Sequence, residues 1–478
     1  MTKAELCSLG PQLAAFLRQF HVGFAQERTT DHLHTYCRGL LSDLPRKSVE
    51  PIALHAGTPV RTLQEFLRDH VWEAATVRDH LQEHVATLLS TLPADDLGTV
   101  GLIDETSAAK DGTKTPGVQR QYLGCLGKVD NGIVTVHLGV CRGSYQTLLD
   151  GDLFLPESWS DDRPRCRAAG IPDEVVYRPK WQIALEQVDR ARSHGVVLDW
   201  LTFDEEYGKR PGFLFGLDDR HLRFVGEVPR TFACLAAHRS GRPPHADTPS
   251  RPAEDVVRGG SVFRSQPWQV LRLCRQTCED QVWRVKAAQV WLSSADGWST
   301  RTYWLIWASN DATGEEKFFL SNAPTDTPVV VLVRVAFRRA RVEHTFRICK
   351  SELGFTHFEG RHYQGLQRHL SLCLLTLNFV AEHTHRLRGE KPGGNGRASM
   401  PGVGAGVPEL AAAATGDERA AVPGGSHRLS PRAQSRGTRV ETEATRGRPH
   451  PQATAPPPPS PSPPINGPFP VAEVALYC

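Results

Sequence analysis

The chain has 478 residues, 40% hydrophobic and 23% charged, with 56 Lys and Arg against 53 Asp and Glu and a formal net charge of +3. That composition suits a soluble globular protein of two to three domains. It contains no apolar run near the roughly 18 residues of a membrane span, and its bulk charge does not announce a nucleic-acid binder, so any such role must come from local clustering. The eleven cysteines are odd in number and scattered, Cys274 and Cys278 being the closest pair. This argues against a disulfide framework or a zinc site. The N-terminus lacks a basic-then-apolar leader, which points to a cytoplasmic protein.

Residues 1–95 are predicted to form an all-helical N-terminal domain. Leu13, Phe16 and Leu17 recur at helical spacing, as do Leu81, Val85 and Leu88. Between them, SVEPIALHAG ends at Gly57, which suits the left-handed residue after a helix. TPVRTLQEFLRDHVW follows, with Thr58 placed to cap the next helix and Pro59 in its first turn. Two helices on such a turn resemble a helix-turn-helix, the second exposing Arg61, Gln64 and Arg68 to phosphates or base edges. A plain helical hairpin is the alternative.

Residues 96–230 read as α/β. TVGLIDET, GIVTVHLGVC and SYQTLLDGDLFLP are predicted strands, PKWQIALEQVDRARSHG a helix ending at Gly195, and VVLDWLTFDEEYG a fourth strand. A short helix through Leu214 and Leu217 leads to RFVGEVP as the fifth, an α/β order. Residues 231–325 hold Trp268, Trp283, Trp291, Trp298, Trp304 and Trp307 among strand-like runs, and read as a β-rich insertion. Helices return over 326–390: one from about Pro328 to Lys350, another from about Tyr363 to Arg388 with Leu366, Leu370, Leu374 and Leu377 on its core stripe. About a third of residues 391–478 are proline or glycine, so the tail, with its basic stretch from Arg428 to Arg448, is predicted to be disordered.

Three acidic positions stand out. Asp104 ends the first predicted strand, Asp204 ends the fourth, and Glu343 sits on the late helix. A carboxylate at a strand end lies at the rim of a sheet, where α/β proteins build their sites, although such acids often cap a helix instead. On the late helix Arg339, Glu343 and Lys350 fall within about 40° of one another at 100° per residue. A carboxylate flanked by two cations makes sense on a face that also holds a phosphodiester, with Glu343 on metal and the cations on phosphates. An ordinary i, i+4 pair on a solvated helix is the plain alternative.

Three segments carry a family resemblance: GLIDETSAAKDGTKTPGVQRQYLG (101–124), YRPKWQIALEQVDRARSHGVVLDWLTFDEEYGKRPGFL (177–214) with VGEVPR, and RRARVEHTFRICKSELGFTHFEGRHYQGLQRHLSLCLLTLNF (338–379). In these the chain resembles DDE-type transposases of bacterial insertion sequences, the cut-and-paste group with a β-strand insertion before the final Glu. The resemblance implies a ribonuclease-H-like core in which Asp104, Asp204 and Glu343 converge as catalytic and metal-binding residues. It implies two Mg²⁺ ions, with Mn²⁺ as a substitute. The group's signature around the Glu matches at Arg339, Glu343 and Lys350, while its Tyr position is held by Ala336 with Phe337 beside it. Near Asp104 the usual Gly and Lys pair is replaced by Ser107, Ala108, Ala109, Lys110 and Asp111.

The implied function is metal-dependent cleavage at element ends and strand transfer into target DNA, performed by a homodimer on DNA. The implied partners are the terminal inverted repeats and the target, with no membrane, and the implied location is the bacterial cytoplasm at the nucleoid. Lys110, Lys114, Arg120, Arg339 and Lys350 are the candidate phosphate contacts. A tryptophan of the insertion is implied to stack on an extruded base, and the sequence does not single out which. Two alternatives stay open: a transposase-derived DNA-binding protein without catalysis, and a glycoside hydrolase using two strand-end carboxylates.

Overall fold

In the computed structural model, residues 3–237, 242–273, 281–294 and 297–390 are described; the predicted tail from residue 391 lies outside them. Five helices open the chain: α1 (Lys3–Arg18), α2 (Glu27–Leu41), α3 (Val49–His55), α4 (Val60–Arg68) and α5 (Ala74–Thr91). Their apolar stripes meet in a core that includes Leu17, Leu33, Tyr36, Phe66, Leu81 and Val85, all fully buried. The α3–α4 turn closes as the sequence suggests. Gly57 has φ +63°, the Gly57 N–H donates to Leu54 O at 3.1 Å and the Thr58 N–H to Ala53 O at 2.9 Å. Thr58 does not cap α4: it is consumed in closing α3, and Pro59 stands at the cap position without a side-chain bond.

The α/β part follows as β1 (Thr99–Ala109), β2 (Gln119–Leu123), β3 (Lys128–Arg142), β4 (Tyr145–Leu153), α6 (Glu157–Ser160), α7 (Arg163–Ala168), α8 (Lys180–Ser193), β5 (Trp200–Thr202), α9 (Glu205–Gly208), α10 (Pro211–Asp219) and β6 (Val225–Val228). β1 is central. It runs antiparallel to β3 from Thr99↔Arg142 to Ala109↔Gly132 and parallel to β5 from Val100↔Trp200 to Leu102↔Thr202. The far edge of β3 is shared by β2 near its start and β4 near its end. The hairpin strand β2 was absent from the sequence expectation. Its alternating Gln119, Arg120, Gln121 and Tyr122 are mostly solvent-facing and lack the apolar run that marks a buried strand.

The insertion comprises β7 (Ala233–Ala236), β8 (Arg251–Pro252), α11 (Ala253–Gly259), α12 (Ser261–Arg264), β9 (Gln269–Leu273), β10 (Gln281–Ser294), β11 (Gly297–Trp298), β12 (Tyr303–Ser309) and β13 (Glu316–Ser321). Its sheet runs β6-β13-β12-β10-β7-β8, so β6, expected as the fifth core strand, is laddered into the insertion. The parallel bridge Leu201↔Phe224 ties it back to the first sheet. Trp283 and Trp291 are core residues of the insertion, whereas Trp268, Trp298, Trp304 and Trp307 are half-buried.

The late helix, expected as one piece, is two: α13 (Val329–Arg338) and α14 (Ala340–Glu352), interrupted at Arg339. α13 packs on β5, β6 and β1, and α14 on β4 and β1, so the break lets each half follow its own surface. The final helix α15 (Tyr363–Glu390) buries Leu366, Leu370, Leu374 and Leu377 as expected. Its main partners are β4 and helices α5, α2 and α4.

This packing leaves two neutral histidines deep in the fold. His137 on β3 has Nδ1 3.0 Å from Asp150 O and Nε2 2.7 Å from Thr135 Oγ1, and lies against the Phe346 and Phe355 rings. Burial pushes its pKa down to about 4. His369 on α15, 2.9 Å from the Tyr36 hydroxyl, is pushed to about 4 by burial and by the charge of Lys110. The unfolded chain protonates both near 6.5 and the native chain does not, so stability falls as pH drops from about 6.5 towards 4, by up to about 1.4 kcal/mol per unit for each histidine. Asp104, whose pKa is raised to about 7, acts in the opposite sense over the same window, so the histidine effect is read by difference: lowering the pH from 7.5 to 5 should cost His137→Gln less of its urea midpoint than it costs the parent. Equal slopes for parent and variant would exclude His137 as a source.

Candidate active site

Asp104 lies in the middle of β1 rather than at its end, because the ladder with β3 continues to Ala109. Its side chain is nearly buried, with Oδ1 accepting from the Glu105 N–H at 2.7 Å and Oδ2 from Arg339 Nη1 at 3.0 Å. Asp204 follows the parallel neighbour β5 and caps α9. Its Oδ1 accepts from the N–H groups of Glu206 at 3.0 Å and Tyr207 at 3.4 Å. Glu343, in the first turn of α14 and 58% exposed, accepts from Arg339 Nη2 at 2.7 Å. One guanidinium, placed at the break between α13 and α14, thus joins Asp104 to Glu343.

The electrostatics describe one shared site. Burial, reinforced by the charge of Asp204, raises Asp104 to about 7 against the pull of Arg339. Burial also raises Asp204, with Glu105 adding and Arg339 opposing. Burial lowers Arg339, and Asp104, Glu343, Asp204 and Glu227 more than offset it, so its pKa is raised overall. Two groups not singled out in the sequence belong to this neighbourhood. Glu105 is paired with Lys180 at 2.8 Å through Oε1 and has a buried, unpartnered Oε2. The Tyr207 hydroxyl is also buried without a partner, near Asp104, Glu105 and Asp204. Both stand inside the quoted motifs, and adjacency to the two aspartates was the signal available.

Among the described residues, no three Asp, Glu, His or Cys side chains stand together as a metal-binding group. The carboxylates are arranged around Arg339. Their chemistry nevertheless fits a hard divalent ion: all three offer oxygen donors, and the position they surround is held by a cation.

The candidate DNA contacts fall in three places. Arg61, Gln64 and Arg68 are all on the exposed face of α4, where Arg61 pairs with Glu65 at 2.7 Å and Arg68 with Asp69 at 2.8 Å. Arg120 is exposed on β2. Lys110, Lys114 and Lys350 line one open cleft of about 790 Å³. Lys110 donates to the carbonyls of Thr356 at 3.1 Å and Phe358 at 2.5 Å, and burial lowers its pKa to about 8. It fastens the loop after α14 to the end of β1. Ala336, at the signature's Tyr position, is buried, and Phe337 beside it packs on Trp283 and Phe319.

A family model described as DDE superfamily endonuclease matches residues 17–289, a span that contains Asp104 and Asp204 and stops short of Glu343. The chain belongs to that family. It is similar to the probable transposase for insertion sequence element IS701 of Microchaete diplosiphon, with 32% identity over 197 residues, which are 41% of this chain and 47% of the relative. The chain therefore spans about half the length of the curated relative it matches. Among solved structures, the NurA nuclease from Sulfolobus solfataricus aligns over 56% of this chain and 92% of its own at 11% identity; its TM-score of 0.23 carries no argument. Among the described residues no helix is long and apolar enough to cross a membrane.

Proposed function

We propose that this chain is a DNA transposase that cuts the ends of an insertion sequence and joins them to target DNA. The observation that carries the reading is the convergence of Asp104, Asp204 and Glu343 on the Arg339 guanidinium within a DDE endonuclease. A ribonuclease-H-like reading of the first sheet is supported by its strand order, β4-β3-β1-β5 with β6 bridged beyond, and by β1 and β5 being parallel.

Asp104, Asp204 and Glu343 are the residues that would hold two Mg²⁺ ions, or Mn²⁺ in their place. Such ions supply positive charge to the scissile phosphate and to the oxygens entering and leaving it. The protein's own part is placement. β1 and β5 fix the two aspartates on a rigid sheet, and the Asp204 cap orients its carboxylate. Arg339, already charged beside the carboxylates, is placed to take a phosphate oxygen. In the first step a water oxygen bonds to phosphorus and the strand oxygen leaves as a 3′-hydroxyl. In the second, that hydroxyl attacks a target phosphodiester, and a target hydroxyl leaves. We assign element-end recognition to α4 through Arg61, Gln64 and Arg68, and the working form to a homodimer on DNA at the nucleoid.

The test is cleavage of a linear duplex carrying the element ends that flank the gene. Nicks bearing 3′-hydroxyls should appear with Mg²⁺ and disappear with a chelator. End-specific binding without any metal-dependent nick would overturn the reading in favour of a non-catalytic DNA-binding protein.

A further inference from the structure

The cleft at the end of β1 carries charge that the fold does not neutralise. It is walled by the segment between β1 and β2, by the end of α14 and the loop after it, and by Arg46 from the α2–α3 linker. Most arginines of the described residues sit in ion pairs, yet among those residues the side chains of Lys114, Lys350 and Arg361 in this cleft have neither an acidic partner nor a hydrogen bond. Against them stand Asp111 and Glu359, and Glu359 is engaged by Arg46. Like charges gathered in one concavity repel one another and raise the local concentration of anions.

The walls are built rather than loose. Lys110 holds the carbonyls of Thr356 and Phe358, the Lys47 N–H donates to His357 Nδ1 at 3.0 Å, and Lys47 Nζ donates to Glu352 O. Between the charges the lining is small: the hydroxyls of Ser107, Thr113, Thr115 and Thr356, with Ala108, Ala109, Gly112 and Cys125. Its two rings are poorly placed for stacking: Phe358 is 5% exposed, and His357 is half-buried and fixed by the Lys47 N–H. Such a surface suits sugar and phosphate, not bases. Lys350 is seven residues along α14 from Glu343, about 10 Å at 1.5 Å per residue. Lys110, the residue after β1, is six residues from Asp104, about 20 Å at 3.3 Å per extended residue. At 3.4 Å per nucleotide these reaches correspond to about three to six nucleotides from the scissile phosphate.

We infer that this cleft is a sequence-independent clamp on the DNA backbone, with Lys114, Lys350 and Arg361 on successive phosphates and Glu359 restraining it by holding Arg46. The inference rests on the transposase reading and adds to it the strand segment gripped and the manner of gripping.

Salt titrations of binding, read by fluorescence polarisation on labelled element-end and scrambled duplexes, test it. Lys114→Ala with Arg361→Ala should flatten the dependence of log Kd on log salt by about two, equally on both duplexes. Glu359→Gln should tighten binding by roughly two- to fivefold, as removal of an exposed ion pair's acid warrants, a gain that misfolding cannot imitate. Arg230→Ala, which removes an exposed cation already paired with Glu254, should leave the slope unchanged. If the full chain binds DNA while the double variant keeps its slope, or loses binding only to element ends, the clamp is overturned and the transposase reading stands. If the full chain binds neither duplex, both fall.

Discussion

Asp104→Asn, Asp204→Asn and Glu343→Gln should each lower metal-dependent strand cleavage by more than about a hundredfold, since loss of even an outer-shell partner of a metal typically costs ten- to a hundredfold. Each change removes a carboxylate charge and keeps the shape, so folding should survive. Asn is as good a helix cap as Asp, so α9 keeps its first turn when Asp204 is changed. Glu343 is mostly exposed, and its amide has solvent to bond. Asp104 is the instructive case. Its folded pKa is raised to about 7, so the native state binds its proton more tightly than the unfolded chain does, and stability falls as pH rises from about 4 to 7. An amide at this position has no such proton, so Asp104→Asn should melt no lower than the parent at pH 7.5 and show a weaker decline across that window. Cleavage within tenfold of the parent for any of the three would remove that residue from the site. A cooperative melt retained alongside lost cleavage separates chemistry from folding.

The same residues show where sequence reasoning holds and where it stops. Asp104, Asp204 and Glu343, whose proposed role the variants above test, could be singled out because each sits in a local pattern: an apolar run ending in acid, or an acid flanked by cations at helical spacing. The exposed face of α4 was legible for the same reason, since Leu63, Phe66 and Leu67 are its buried stripe and Arg61, Gln64 and Arg68 fall opposite. What eluded the sequence depends on distant partners. β1 runs on past Asp104 because β3 pairs with it to Ala109, and SAA by itself has weak strand preference. β6 reads as a core strand and bonds to one, with the Glu227 N–H on Phe203 O at 3.0 Å, but its other edge is laddered to β13, about ninety residues away. The break at Arg339 is hidden because that residue keeps helical angles, φ −53° and ψ −36°. Lys110 reads as a phosphate contact, and its ammonium is instead bound by two carbonyls nearly 250 residues on.

α15 does more than bury its core stripe. It lies on β4, as α14 does, and its other side faces α5, α2 and α4. It reaches the loop after α14 through Cys373 Sγ and Leu353 O at 3.7 Å. One helix therefore connects the sheet that carries Asp104 with the helix that carries Arg61, Gln64 and Arg68. If α4 reads the element end and the sheet cuts it, the spacing between them is set through α15.

Arg368 is the residue that makes this connection rigid, and Arg368→Met should destabilise the chain by about 2–5 kcal/mol, because it leaves buried carbonyls without a donor at about 1–3 kcal/mol each. The side chain is 1% exposed. Its Nη1 donates to Phe66 O at 3.4 Å and Leu67 O at 3.2 Å, and its Nη2 to His70 O at 2.8 Å and to Trp72 O. These are the carbonyls that the end of α4 and the turn after it leave without helical partners. The guanidinium also stacks over the Trp72 ring, 4.6 Å from its centroid. Burial pulls its pKa down to about 10, which keeps it charged at neutral pH. Methionine fills the space and supplies no donor, so the carbonyls of Leu67 and Trp72 would lose their bonds in a region closed to water, while Phe66 O keeps the Trp72 Nε1–H at 2.8 Å and His70 O the Trp72 N–H at 3.2 Å. Arg368→Lys should recover only part of the loss, because one ammonium cannot span carbonyls from Phe66 to Trp72. The measurement is the urea midpoint of the three chains, together with binding to element-end and scrambled duplexes. Methionine should lower the midpoint and blunt the preference for the element end, with lysine between it and the parent. A methionine variant that matches the parent in both would show that α4 is held by its apolar stripe alone.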